Sequence, residues 1–403
     1  MLILIIFLIF ITTACSKAET VQEILQKVEK NNPQLKVIKG KLKVYKFKKT
    51  YETSFPDPYF HLSINDIQLF YRPLDRNIEP MQSLSFGLSW KFPFLKKLKA
   101  KGDLVDTLFS QTQAEYLLKK QRVLEEALKS LYKIWLYREK LNLIKNFKKI
   151  SQGIIELSNI TYSVGKNSQS DILNSQIYYT FLKKREIKIK RLLEKEKEHL
   201  FYLAGEAFEI PYFSLPEEVL DPLKRYIEKI ENSPEIKVID NKIKYQDRKI
   251  ELSKLSIYPD FTVSGRYFYR KNFNDYISLG ISFNLPFLNK RKYLSLVLME
   301  KEVKNTLKKE REDILLSIEK KLRQNYITAE ESKETLKILK ILIKQTQHAF
   351  ETVLSEFKVG RKNMVDVLFV LKEILSIKEE FIEEKVRFHT ALLKIKSMIG
   401  EIK

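Results

Sequence analysis

The chain has 403 residues, with 73 lysines and arginines against 51 aspartates and glutamates, which gives a formal net charge of +22. A single cysteine, Cys15, excludes an internal disulfide, and the four histidines are too scattered for a metal site. Because no nucleophile is paired with a base in the sequence, we predict neither an enzyme nor a cofactor site.

The positive charge is spread along predicted helices and alternates with glutamate, as in segments 183–186 and 194–198. This pattern is typical of solvated helix faces, so no nucleic-acid partner is expected. A nucleic-acid-binding coiled coil would fit the charge alone, and it would require a cytosolic protein that retains residues 1–18.

The first element in chain order is an apolar run over residues 2–11. It is too short to cross a bilayer as a helix, but it has the length of a signal-peptide core. Two processing sites fit the sequence, namely cleavage after Ala18 and lipoprotein-type processing with lipidation at Cys15. We therefore predict a signal peptide over residues 1–18 and an exported protein.

Two helices come next. The pattern Thr20-x-x-Glu23 is typical of a capping box and predicts a helix that ends near residue 30. Pro33 then opens a second helix, which is predicted to extend to residue 53.

The following segment has the period of β-strands. From residue 83 to residue 92, apolar side chains alternate strictly with small or polar ones. Residues 59–71 alternate less regularly, and their phase slips near Asp66. We predict a β-hairpin over about 59–92. The alternating apolar residues of its second strand are Leu84, Phe86, Leu88, Trp90 and Phe92.

A long helix follows the hairpin. Residues 96–162 contain no proline and carry apolar residues at helical spacing, which predicts a helix about 100 Å long. A turn at Gly165, with its tip over residues 163–171, leads into a returning helix that ends near residue 204. The first structural repeat therefore covers residues 19–210, and a proline-containing linker with a short helix follows over residues 211–233.

The second repeat, over residues 234–403, has the same order of elements. It contains a β-hairpin over about 259–286, a long helix over 290–358, and a turn at Gly360 within a tip over 358–366. Its alternating apolar residues are Ile277, Leu279, Ile281 and Phe283. The matching positions of the two repeats include Pro33 and Pro234, Pro58 and Pro259, Gly87 and Gly280, Pro93 and Pro286, Gly165 and Gly360, and Gly205 and Gly400.

The hairpins supply four predicted strands of roughly 9 to 12 residues, long enough to cross an outer membrane when tilted. A half-buried sheet in water would need a core above it, and no segment of the chain supplies one. Four strands cannot close a barrel, and lipid does not tolerate an open sheet edge. The expected fold is mainly α, with long antiparallel helical hairpins and four β-strands per chain in a multi-chain barrel.

Taken together, these motifs resemble those of the TolC-like outer-membrane efflux proteins. The resemblance covers nearly all of the mature chain. It rests on the helix starts at Pro33 and Pro234, the Pro-Phe-Leu junctions over 93–95 and 286–288, and the Val-Gly turns with a following aspartate. It implies a homotrimer with a twelve-stranded barrel in outer-membrane lipid and an α-helical barrel in the periplasm. It also implies two protein partners, a periplasmic adaptor and an inner-membrane pump.

The resemblance assigns the two helix turns to a periplasmic tip, which relatives close by contacts between the repeats. The corresponding positions here are Asp171, Phe357 and Lys362. Asp366 matches an acidic position that forms a ring at the entrance, whereas the second acidic position is Phe369, which argues against strong cation blockade. Asp171 and Asp366 also fit capping boxes of the returning helices, which would explain both residues without a gate.

Basic residues follow both Pro-Phe-Leu junctions, over 96–101 and 290–292. Contact with anionic lipid head groups and simple solvation of the helix starts both account for them.

We therefore expect a passive outer-membrane channel subunit, the exit duct of a tripartite efflux or type I secretion system. The alternative is an exported coiled-coil scaffold or adaptor without a pore. The strict alternation in the hairpins favours the channel, because a scaffold has no use for a strand with one wholly apolar face.

Overall fold

The computed structural model describes residues 20–69, 81–166, 168–271 and 273–402. The predicted signal peptide and Cys15 lie outside the described residues, so cleavage and lipidation stay predictions. Among the described elements, the order helix, two strands, long helix, returning helix occurs twice. The predicted fold class, mainly α with a four-stranded antiparallel sheet, is confirmed.

The helices lie close to their predicted bounds. The two longest have 69 residues each. The predicted capping box is present, with the Glu23 N–H donating to Thr20 Oγ1 at 3.2 Å. The α-helices are α1 Val21–Asn31, α2 Pro33–Thr53, α3 Leu95–Ser163, α4 Gln169–Ala204, α5 Leu223–Ile227, α6 Pro234–Leu255, α7 Lys290–Lys358 and α8 Met364–Met398, with 3-10 turns at Ile230–Asn232 and Pro286–Asn289.

The chain divides into two compact units, each built from segments that are separate in the sequence. The helical unit comprises the described parts of Met1–Lys36, Lys119–Ile230 and Ile318–Lys403. The sheet unit comprises the described parts of Val37–Leu118 and Glu231–Ser317. The long helices α3 and α7 each contribute residues to both units.

In the helical unit, α3 and α4 form an antiparallel hairpin. Lys148 pairs with Glu186 at 2.7 Å and Lys133 pairs with Glu196 at 2.9 Å, so that later residues of α3 meet earlier residues of α4. Helices α7 and α8 follow the same antiparallel order, with contacts at Ser332–Glu384 and Glu331–Arg387. The predicted helical hairpins are therefore present in both halves of the chain.

In the sheet unit, four antiparallel strands lie in the order β1-β2-β3-β4. Phe86 of β2 is paired with Leu62 of β1 and with Tyr267 of β3, which in turn is paired with Ile277 of β4. The two predicted hairpins thus join into one sheet through β2 and β3. The strands are β1 Tyr59–Asn65, β2 Ser83–Phe92, β3 Phe261–Tyr269 and β4 Tyr276–Phe283.

Two strands are shorter than predicted. Strand β1 has 7 residues and ends at Asn65, because Asp66 adopts a left-handed conformation with φ 56° that breaks the extended backbone. This break explains the slip in the alternation, and residues 70–71 of the predicted strand lie outside the described residues. Strand β4 has 8 residues and ends before Asn284, whose side-chain oxygen accepts a hydrogen bond from the Asp260 N–H at 2.8 Å.

The sheet unit also contains paired helices. Lys49 of α2 contacts Asp106 of α3 at 2.7 Å, and Lys304 of α7 contacts Asp247 of α6 at 2.6 Å. Within the described ranges, no helix combines the length and apolar composition that a membrane-spanning helix requires.

Candidate functional site

The four-stranded sheet presents one continuous apolar face. The strand register places Phe86, Tyr267 and Ile277 in one row and Trp90, Val263 and Ile281 in another, so that the apolar positions of all strands line up. Most of these side chains are exposed, and Leu279 is 85% exposed. The predicted apolar set lies on this face: Leu84, Phe86, Leu88, Trp90, Ile277, Leu279, Ile281 and Phe283.

On β1 and β2, the opposite face carries small polar side chains that bond to one another. The Ser63 and Ser85 hydroxyl groups are 2.7 Å apart, and Asn65 Nδ2 donates to Ser83 Oγ at 3.2 Å. Ser85 is only 1% exposed. The polar face is buried at Ser83 and Ser85 of β2 and exposed at Arg266 of β3 and along β4. An apolar face that is exposed over the whole width of the sheet is the opposite of what a sheet in water usually shows.

The helix turns in the helical unit are the second candidate site. Gly165 and Gly360 have φ angles of 74° and 79°, a left-handed conformation that favours glycine. Each turn has both hydrogen bonds of a Schellman motif. The Lys166 N–H donates to the Thr161 carbonyl and the Arg361 N–H donates to the Glu356 carbonyl, both at 2.9 Å. The Gly165 N–H donates to the Tyr162 carbonyl at 2.9 Å and the Gly360 N–H donates to the Phe357 carbonyl at 3.0 Å. The predicted left-handed caps are present in both repeats.

Both aspartates after these turns take part in helix capping. The backbone N–H of Ser168 donates to Asp171 Oδ2 at 3.2 Å, and the Ser168 hydroxyl donates to the same oxygen at 3.0 Å. In the second repeat, the Asn363 N–H donates to Asp366 Oδ2 at 3.4 Å, and the Asp366 N–H donates to Asn363 Oδ1 at 3.0 Å. Capping therefore accounts for the position of both carboxylates in the single chain.

The predicted gate residues have different surroundings. Phe357 is 1% exposed and packs in an apolar cluster that includes Phe147 and Leu368. Lys362 is exposed, and no ion pair joins it to Asp171 among the described residues of the chain. The gate stays a prediction for an assembly of chains, but Phe357 has a structural role that the sequence did not indicate.

No family model matches the chain, and no curated protein matches it. Several solved structures are similar to the chain. The outer membrane protein VceC of Vibrio cholerae aligns with a TM-score of 0.76 and 13% identity over 94% of this chain and 95% of that chain. CusC, whose structures describe transmembrane channel formation, aligns with a TM-score of 0.79 and 10% identity over 94% of this chain and 91% of that chain. The MtrE outer membrane channel of Neisseria gonorrhoeae, in its open state, aligns with a TM-score of 0.73 and 13% identity over 94% and 88%.

The chain has the TolC-like fold. The similarity extends over nearly the whole chain and nearly the whole of each solved structure, so the fold suggested by the duplicated motifs is confirmed. At these low identities the alignment shows that the backbones follow the same path. The chemistry of the sites has to be argued from the residues of this chain.

A carboxylate at the helix-to-strand junction between α6 and β3 of this TolC-like fold was missed from the sequence. Asp260 Oδ1 accepts hydrogen bonds from Lys97 Nζ at 2.9 Å and from the Phe94 N–H at 3.1 Å. Lys97 also donates to the Tyr258 carbonyl at 2.6 Å. Lys97 is therefore engaged within the sheet unit, which differs from both explanations offered for its basic cluster. The junction residues Pro259-Asp260 were the only sequence signal.

Helices α4 and α8 of the TolC-like fold enclose a groove of about 540 Å³ near the tip. Its walls include Ile177 and Phe181 from α4 and Phe369 from α8, and Phe369 is 63% exposed. Tyr178 lies at the same groove, and burial raises the pKa of its hydroxyl above the ordinary value. The groove thus combines exposed apolar side chains with a buried phenol.

Two ion pairs connect the repeats beside this groove. Arg185 of α4 pairs with Glu379 of α8, and Lys140 of α3 pairs with Glu383. The Glu379 side chain is 5% exposed, and burial raises its pKa, although Arg185 and Lys140 act in the opposite direction. A single sequence gives no pairing information for residues so far apart, so these contacts could not be predicted.

The described residues include no group of three or more histidine, cysteine, aspartate or glutamate side chains that could hold a metal ion.

Proposed function

We propose that this chain is the subunit of a trimeric outer-membrane channel that extends into the periplasm and conducts substrates outward. The observation that carries the proposal is the sheet with an exposed apolar face and a hydrogen-bonded polar face, in a chain of TolC-like fold. Such a sheet is stable when lipid covers the apolar side and the polar side lines a water-filled lumen.

The free edges of the sheet support assembly of several chains. Strands β1 and β4 each have one neighbour, so each leaves one row of backbone N–H and C=O groups unpaired. An unpaired backbone group in hydrocarbon costs several kcal/mol, which makes an open sheet untenable in a membrane. Three chains joined edge to edge would pair every edge and close a barrel of twelve strands.

The two tips are the proposed entrance. Lys362 is exposed and belongs to the same turn as the capping residue Asn363, while Asp171 follows the other turn. We infer that a Lys362 to Asp171 contact between neighbouring helical hairpins holds the entrance shut, and that Asp366 repeated by threefold symmetry favours cations there. A lysine offers a single point charge, so the contact is weaker than a bidentate arginine pair would be.

The proposed channel is passive. In this proposal an inner-membrane pump supplies the energy, and a periplasmic adaptor connects the pump to the tips. Processing at the N-terminus, by cleavage after Ala18 or by lipidation at Cys15, completes export to the outer membrane.

Single-channel recording tests the proposal. Detergent-purified protein in planar bilayers should give discrete ohmic steps. Lys362→Ala should raise the open probability and Asp366→Ala should lower the preference for cations, whereas Lys358→Ala, at an exposed lysine just before the turn, should change neither. Silence from folded trimers of both the original protein and Lys362→Ala would contradict the channel. A folded monomer without conductance would instead favour a helical scaffold.

A further inference from the structure

The polar face of the sheet is positively charged. None of the four described strands contains an aspartate or a glutamate, whereas Lys91 and Arg266 both lie on the polar face. Lys91 Nζ is 3.4 Å from Asp260 Oδ2 just outside β3, so its charge is partly compensated. Arg266 has no carboxylate partner in the part of the chain that the structure describes.

Arg266 lies in the interior of its strand. One row across the sheet joins His61, Gly87, Arg266 and Ser278 in the four strands. A Cβ atom added to Gly87 would lie 2.7 Å from Arg266 Cγ, which shows that the stem of the arginine lies over β2 on the polar face. The glycine at position 87 leaves the space that this stem occupies.

The neighbouring residues named below do not neutralise the positive charge of Arg266. The side chain is exposed, and its neighbours in the row are an imidazole, a glycine and a serine. A guanidinium group keeps its charge at every physiological pH. The residues that flank it on its own face of β3, Ser264 and Phe268, are neutral.

We propose that Arg266 makes the lumen of the sheet selective for anions, so that small anions and acidic solutes pass it more readily than cations. This inference rests on the proposed trimeric channel, in which symmetry brings three guanidinium groups to one level of the lumen. A ring of positive side chains concentrates anions and repels cations. At 0.1 M salt the Debye length is about 10 Å, so that the field of such a ring extends roughly that far into the lumen.

The experiment measures the reversal potential across planar bilayers in a potassium chloride gradient. The background is Lys362→Ala with Asp366→Asn, which weakens the proposed gate and removes the proposed acidic ring while asparagine keeps a capping side chain. In this background we compare Arg266, Arg266→Ser, Arg266→Lys and Arg266→Glu, after far-UV circular dichroism shows that each protein is folded.

Arg266→Ser should lower the chloride to potassium permeability ratio by roughly two- to threefold at 0.1 M salt. Arg266→Lys should retain the original ratio, because the charge and not the shape of the side chain matters, and Arg266→Glu should favour potassium. The differences should shrink at 1 M salt, where the Debye length is about 3 Å. Conducting channels with equal ratios for arginine and serine overturn this inference and leave the channel intact. Absence of conductance from every folded protein rejects the channel and this inference together.

Discussion

The sheet unit and the helical unit place their apolar side chains in opposite ways. In the sheet, Leu279 is 85% exposed while Ser85 on the other face is 1% exposed. In the helical unit, Phe357 is 1% exposed inside an apolar cluster. The comparison supports the proposed function, because the helical unit buries its apolar side chains as proteins do in water, whereas the sheet exposes an apolar face that lipid would cover.

The energetic reason is the hydrophobic effect, which is worth roughly 25 cal/mol for each Å² of apolar surface removed from water. A sheet that leaves one whole apolar face uncovered forgoes this stabilisation in water. In the proposed channel the same face would meet hydrocarbon, and the hydrogen-bonded serines and asparagine of the other face would stay in contact with water. The substitutions below test this contrast, beginning with the largest expected effect.

Removing an aromatic side chain should cost much more stability at a buried position of the helical unit than at an exposed one. Phe357→Ala should lower the free energy of unfolding by about 3–5 kcal/mol, because it leaves a cavity in the apolar cluster. Phe369→Ala is the matched control, since this side chain is 63% exposed, and it should change stability by about 0.5 kcal/mol or less. Urea titration followed by circular dichroism measures both. Equal losses at the two positions would contradict the packing described for the tip.

Adding a charge should destabilise the protein more on the apolar face of the sheet than on the polar face. Ile281→Lys puts a cation on the apolar face and should cost about 2–4 kcal/mol per chain if that position is near the middle of the bilayer. Ser282→Lys puts the same cation on the polar face of the same strand and should cost much less. Folding into lipid vesicles, measured against urea concentration, gives the difference. Equal tolerance of both lysines would show that neither face meets lipid.

Replacing two glycines by alanine should give effects of opposite sign within the helical unit. Gly360→Ala should destabilise the turn by about 1–2 kcal/mol, because φ is 79° there and a Cβ atom disfavours this conformation. Gly153→Ala lies within α3, where nothing lies within 4 Å of an added Cβ atom, and it should stabilise the protein by about 0.5–1 kcal/mol. Melting temperatures report both signs, and a higher melting temperature for Gly360→Ala would refute the left-handed cap.

The smallest expected effect is a change in how the free energy of unfolding depends on pH. Because burial raises the pKa of Glu379 in the folded chain above its unfolded value of 4.5, the folded state binds this proton more tightly. The free energy of unfolding should therefore decrease as pH rises from 4.5 through the folded pKa, and Glu379→Gln should remove this decrease. Glu334→Gln is the control, because its exposed pair with Lys337 contributes little. An unchanged pH slope in Glu379→Gln would show that the carboxylate is not held in an apolar setting.

Much of the fold could be predicted because the spacing of the apolar residues and the positions of prolines and glycines at element ends agree between the two repeats. Strand β2 and helix α7 have the predicted bounds, since prolines and glycines mark the junctions and each pattern occurs twice. Strand β1 was predicted too long because alternation alone does not show that Asp66 adopts a left-handed conformation.

The candidate site was predicted only in part. Local geometry, such as the caps at Gly165 and Gly360, follows from neighbouring residues and is confirmed. Contacts between distant residues, such as Arg185 with Glu379 or Lys97 with Asp260, depend on how the repeats pack. A single sequence contains no record of such pairings. The burial of Phe357 belongs to the same class, since an aromatic residue near a helix end fits a core and a surface contact equally well.

Cryo-electron microscopy of the full chain in lipid nanodiscs tests the central claim most directly, because it observes what covers the apolar face of the sheet. We predict a threefold particle in which β1 of one chain pairs with β4 of the next, the apolar face meets lipid, and the polar face lines an open lumen. A monomer outside the nanodisc, with another segment of the chain packed over Leu279 and Ile281, would contradict the account.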